Sequence, residues 1–194
     1  MSDDRYLHEG ETLLLSRRSS LSVLLLGILR ALLETLIVGA IINVALTITL
    51  LFVFSGSMSL WMYVAIFVIC FVAIFSQHVY IWREAMFRVT TERILIANPL
   101  TFFHAPLVTI KWPQYQECEV GHRHFLDVFF LARPLKIRHG TADAKDEAHF
   151  PSLRYAEDIK HYLDKVDSAI RKNDLTSIRP FVAKPRGKRD GPHP

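Results

Sequence analysis

Between Thr35 and Trp82 the sequence carries no Asp, Glu, Lys or Arg, a stretch of 48 residues. So long a gap in charge excludes an ordinary solvated surface there. A helix needs about 20 apolar residues to cross a bilayer, so the gap holds room for two spans and a turn. Cysteine is scarce as well. Cys70 lies inside the apolar run and Cys118 outside it. Two thiols in different environments argue against an intramolecular disulfide and fit a reducing compartment. The motifs that mark common chemistries are absent: there is no G-x-S-x-G, no G-x-G-x-x-G and no G-K-[ST] loop. No catalytic residues and no cofactor are expected, and the chain is read as a non-enzyme.

What is present is ordered by that gap. The run breaks at Ser55-Gly56-Ser57, which predicts a turn over 55–59 and spans over about 36–54 and 61–82. Trp61 and Tyr63 stand at one end of the second span, Tyr80 and Trp82 at the other. Trp61 to Trp82 is about 31 Å as helix, close to the hydrocarbon thickness. Amphipathic rings favour the headgroup level, so these four residues predict two interfacial belts. The first apolar pattern begins earlier, at Leu21, giving a hairpin region of 21–82. It includes Arg30 and Glu34, four apart and therefore on one helix face. Two readings stand for that pair: snorkelling near a helix end, or a buried pair with a transport or gating role.

Orientation follows from the flanking cations. Arg17, Arg18, Arg83, Arg88 and Arg93 lie at the two feet of the hairpin, and the Ser-Gly-Ser turn has none. Positive residues stay inside, so both termini are expected in the cytoplasm of a multi-pass plasma-membrane protein. Arg83 and Arg88, with the four aromatics, are the predicted membrane-interface residues. Twin arginines in "SRRSSLSVLLLG" also resemble an export signal. The apolar region is too long for one, no small-residue cleavage site follows, and a second span does.

Past Trp82 the period of the pattern changes. "RILIAN", "LVTIKW", "QYQECEV" and "PLKIRHG" alternate as strands do, and "HFLDVFFLA" reads as a strand covered on both faces. Asn98-Pro99, Trp112-Pro113, Arg133-Pro134 and "HGTADAKD" punctuate them as turns. "AHFPSL" predicts a further short strand, and "ETLLLSRR", within a lead-in of residues 1–20, one more before the hairpin. One amphipathic helix is predicted over Leu153–Lys172, with Tyr155, Ile159, Tyr162, Leu163, Val166 and Ile170 on its apolar stripe. Such a helix can plug the open end of a strongly bent sheet. Residues 173–194 are rich in Pro, Gly, Lys and Arg and read as a flexible basic tail.

This layout resembles the bacterial pleckstrin-homology (PH) domain family of membrane proteins. The resemblance is carried by "HEGETLLLSRRS" with Gly10 and Glu11, by the hairpin, by "FRVTTERILI" as a first strand pair (Val89, Thr90, Glu92, Arg93, Ile94) and by "APLVTIKW". It covers about residues 8–172. The glycine-rich segment that the family often has before a later strand is missing from "HRHFLDVFFLARPLKIRHGT". The resemblance implies an α+β fold: a two-helix transmembrane hairpin followed, over 83–172, by a small PH-like antiparallel β-barrel capped by a C-terminal helix. It implies no reaction.

Cys118, His122 and His124 form C-x3-H-x-H, but a fourth ligand is not evident and His104 or Glu119 would be guesses, so no metal site is expected. Arg133, Lys136 and Arg138 lie on or beside a strand and are candidates for contact with a lipid headgroup or a partner. Lys184, Arg186, Lys188 and Arg189 in the tail favour a membrane surface over nucleic acid, since no aromatics are interleaved. The expected partners are the bilayer, a protein partner or a second copy, and, in an alternative reading as a lipid-binding or lipid-handling factor, anionic headgroups.

Overall fold

The structure is a computed structural model that describes residues 8, 10–53, 59–123, 125–140, 145–174 and 178–183. It is a mixed α+β chain. A strand, β1 (Leu13–Arg18), precedes two long helices, α1 (Leu21–Val53) and α2 (Leu60–Glu84). Then come β2 (Met86–Thr90), β3 (Arg93–Ala97), β4 (Leu107–Lys111), a 3-10 turn at Trp112–Gln114 and β5 (Tyr115–Val120). A short helix α3 (Phe125–Phe130), β6 (Ala132–Gly140), β7 (Lys145–Arg154) and α4 (Ala156–Arg171) complete it.

Both α1 and α2 are long and apolar enough to cross a membrane. Helix α1 is one unbroken rod of 33 residues, about 50 Å. It begins at Leu21 because Ser20 caps it: the Ser20 hydroxyl accepts the N–H of Ser22 at 3.3 Å. The two helices pack along small or short side chains that recur every fourth residue of α1: Gly27, Ala31, Thr35, Gly39, Asn43 and Thr47. Ala31, Thr35 and Asn43 are buried there. A Cβ on Gly39 would lie 2.5 Å from the Phe67 ring. Small residues let helix backbones approach where lipid gives no hydrophobic drive between helices. Thr47 and Tyr63 add an interhelical hydroxyl pair at 2.8 Å. The predicted turn at 55–59 falls, except for Ser59, outside the described residues.

The strands form two antiparallel sheets, ordered β1-β2-β3-β4 and β5-β6-β7. They are two separate sheets, not the closed barrel expected from the sequence. One core lies between them. Phe87 of the first sheet meets Phe150 of the second edge-on at 5.8 Å, and Ile94, Ile110, Leu135 and Ile137 are fully buried around them. The stripe of α4 (Ile159, Leu163, Val166) closes onto this core, against β5 and β6.

Four local expectations are corrected. "HFLDVFFLA" is not a covered strand. It holds α3, whose Phe125, Val128 and Phe129 are exposed while Asp127 is buried. Arg133-Pro134 is not a turn but lies inside β6 at an irregularity between Arg133 and Leu135, where a ladder tolerates proline. The last helix starts at Ala156, because Leu153 and Arg154 end β7. The tail is not wholly a free coil. Its residues 178–183 pack back, with the Phe181 N–H donating to the Leu14 carbonyl at 2.9 Å and the Tyr162 hydroxyl to the Arg179 carbonyl at 2.8 Å.

Candidate functional site at the hairpin–domain junction

The first sheet is stitched from both sides of the helical hairpin. Strand β1 leads into α1, β2 leaves α2, and the two pair antiparallel, with Arg18 opposite Met86 and Leu13 opposite Thr90. The domain is therefore fastened to both feet of the hairpin by adjacent strands. One residue, Ala85, links α2 to β2, and Ser19 and Ser20 link β1 to α1.

Hydrogen bonds tighten this seam. The Ser19 N–H donates to the Ala85 carbonyl at 3.3 Å and the Ser20 N–H to the Ser152 carbonyl at 3.0 Å. The Trp82 indole N–H donates to the Ser20 carbonyl at 3.2 Å, while the Ser19 hydroxyl donates to the Trp82 carbonyl at 3.3 Å. Behind them is a buried acid. The Asp127 carboxylate accepts the hydroxyls of Ser22 and Ser152, the latter at 2.7 Å. This ties α1, α3 and β7 together, and it places a carboxylate at the first turn of α1, where the helix dipole favours negative charge.

A second clasp sits at the far end of β1. Gly10 adopts φ 88°, a left-handed turn that suits glycine. The turn brings the Glu11 carboxylate back to the His8 N–H at 2.9 Å. Arg93 reaches both Glu11 oxygens, Nε to Oε1 and Nη2 to Oε2, each at 3.0 Å. The Thr90 hydroxyl donates to Glu11 as well. Burial raises the Glu11 pKa, but the bonds from Arg93, Thr90 and the His8 N–H outweigh it and bring the group to about 2.

Within the hairpin, Arg30 Nε meets Glu34 Oε1 at 2.6 Å, the pair expected from their spacing. A third member was not expected: His78 of α2 lies 3.2 Å from Glu34 Oε2. The only sequence signal for it is a histidine inside the charge-free run.

The predicted interface residues are divided by the structure. Trp61 is exposed, and Tyr63 is half-buried on Thr47. Tyr80 packs on Phe102 at 5.0 Å, and Trp82 is the seam residue just described. Arg83 is exposed at the foot of α2, whereas Arg88 is only 4% exposed, enclosed in β2 with Nη2 3.4 Å from Met86 Sδ. Arg88 is therefore not a displayed interfacial cation.

The candidate basic patch is engaged internally. Arg133 pairs with Glu157 at 2.6 Å, and Arg138 lies among Glu117, Glu119 and Glu147 at 3.0–3.2 Å. Lys136 stands opposite Glu119 and His149 in the ladder.

The C-x3-H-x-H residues do not converge. Cys118 is buried in the core, and burial pushes its thiol up to about 12, while His122 is exposed and His124 lies outside the described residues. Among the described residues no three His, Cys, Asp or Glu side chains group to hold a metal. Lys184, Arg186, Lys188 and Arg189 also lie outside the described residues.

Comparison with known proteins finds no matching family model, no similar curated protein and no similar solved structure. The junction residues are therefore interpreted from their own geometry. Asp127, Ser22 and Ser152 escaped sequence reasoning because they come from three distant segments. The one hint was an acid inside the otherwise apolar "FLDVFFL".

Proposed function

We propose that the chain is a membrane-anchored, non-enzymatic, PH-like module at the cytoplasmic face of the plasma membrane, and that its strand domain binds a protein partner or a second copy of itself. The observation that carries this reading is the β1–β2 pairing across the hairpin. A domain joined to both helices through adjacent strands cannot swing away, so its outer faces are held at a set angle to the bilayer for a partner to meet. Charge at the feet favours the cytoplasmic side: Arg17, Arg18 and Arg83 flank the apolar helices. Two antiparallel sheets of four and three strands, with a C-terminal helix on their shared core, support the PH-like reading.

The engagement of Arg133 and Arg138 by carboxylates favours a protein partner over anionic headgroups. Photo-cross-linkers at positions 116, 136 and 149 of the full chain in native membranes test this. Protein adducts are expected. Labelling of anionic lipid alone overturns the reading in favour of headgroup binding, and no adduct at any position also counts against it.

A further inference from the structure

Two apolar lobes of the strand domain meet the hairpin at one height. The first is the β3–β4 loop, residues 98–106, which contains no Asp, Glu, Lys or Arg. Its Phe102 packs on Tyr80 of α2 with the rings tilted by 38°, while Leu100 is 57% and Phe103 99% exposed. The second is α3, which packs beside the start of α1. Its one acid, Asp127, is turned inward onto Ser22, while Phe125 and Phe129 are 78% and 69% exposed. The Trp82–Ser20 hydrogen bond places this start of α1 level with the last turns of α2. The lobes therefore flank the hairpin at the same level, one on each helix.

We infer that both lobes enter the cytoplasmic leaflet, so that the domain rests on lipid at Phe103 and at Phe125–Phe129 as well as through its helices. This rests on the membrane reading above. Monomeric soluble surfaces rarely expose apolar patches of this kind without a partner. The lipid leaflet is the occupant favoured by continuity: beside α3 the exposed Leu21, Leu25 and Leu29 of α1 extend the same apolar surface toward the span. The exposed cations Arg18, Arg83 and Arg123 stand next in sequence to the start of α1, at the last turn of α2 and just before α3, and cations near such helix ends attract lipid phosphates. Exposed aromatic side chains together with flanking arginines suit a bilayer interface.

The test uses the full chain in vesicles of phosphatidylcholine and phosphatidylglycerol, with Cys70→Ser as background, Cys118 being fully buried and shielded from the reagent, and spin labels at Phe103→Cys or Phe129→Cys. Ile41→Cys on α1 and Gln116→Cys on β5 serve as references. The exposure of Phe103 and Phe129 means that labels there leave the core intact. Collisions with oxygen, enriched in lipid, are compared with those of a water-soluble nickel chelate. Labels at 103 and 129 are expected to favour oxygen, as at 41, with the reverse at 116. Either lobe behaving like 116 while 41 favours oxygen overturns the inference and leaves the membrane reading standing. Labels shielded from both reagents and dipolar-broadened between copies overturn it in favour of a dimer contact. Nickel access at 41 overturns the membrane reading, and the inference with it.

Discussion

Glu11 and Arg93 form a two-pronged ion pair, both contacts at 3.0 Å, that joins the segment before the hairpin to the segment after it. The Glu11 side chain is fully buried. The pair acts with the β1–β2 ladder to make one sheet from chain ends separated by two long helices.

The Glu11 carboxyl titrates near 2 in the folded chain, against an ordinary 4.5. A folded pKa below the unfolded one contributes stability that is complete above about 4.5 and is lost as pH falls toward 2. The shift corresponds to roughly 3 kcal/mol at neutral pH. Glu11→Gln should lower the neutral-pH unfolding midpoint and flatten the acid limb between pH 4.5 and 2. An unaltered acid limb would show that the pair does not bear on folding.

Asp127→Ala leaves the buried Ser22 and Ser152 hydroxyls, 3.2 Å apart, with only each other as acceptor and should cost about 2 kcal/mol. The loss should centre on the junction. Hydrogen exchange should rise in α3 and the first turn of α1 and stay unchanged in β3 and β4. Uniform loosening would contradict a local lock.

Much of the fold was legible where the pattern was periodic or where charge was missing. The hairpin announced itself by the gap from Thr35 to Trp82, and β3 to β6 by alternation, as in Leu135 and Ile137 inward with Lys136 between. Helix α3 was not legible, because "FLDVFFLA" has no period to read. Its Phe125 and Phe129 point outward, against the rule that apolar residues seek the core. The packing of Ile178 and Phe181 was hidden by the Pro- and Arg-rich composition around them. Of the junction, Trp82 was visible as an interfacial aromatic. Its bond to Ser20 was not, since a contact across 62 residues leaves no local trace.

Helix packing gives a further prediction. Gly39→Leu places a side chain into the Phe67 ring and should destabilise the hairpin by about 2 kcal/mol. Phe67→Ala in the same chain should recover part of that loss. Thermal melts in detergent of the single and double variants check it, and no recovery would mean that Gly39 does not set the helix approach.

We propose a structural role for the Arg30–Glu34–His78 group, an ion pair on α1 with a third contact from α2. His78→Ala should cost about 1 kcal/mol, as interhelical hydrogen bonds in membranes do. Arg30→Leu together with Glu34→Leu should leave partner cross-links unchanged. Loss of those cross-links with a folded domain would assign the group a functional role.

Phe181 holds the segment 178–183 through Tyr162, 5.3 Å between ring centroids, and the Arg17 guanidinium at 5.7 Å. Phe181→Ala should release it and speed thermolysin cleavage before Ile178 severalfold, with the core of the domain still resistant. Unchanged cleavage would mean that the backbone bond to Leu14 suffices.

We propose that the strand domain, clamped to both feet of the hairpin, faces the cytoplasm. Protease treatment of sealed vesicles of each orientation tests this, with cleavage read at Arg154 and Lys172, both exposed on the domain. Cleavage is expected in inside-out vesicles and protection in right-side-out ones. Cleavage of the domain from outside right-side-out vesicles would contradict it.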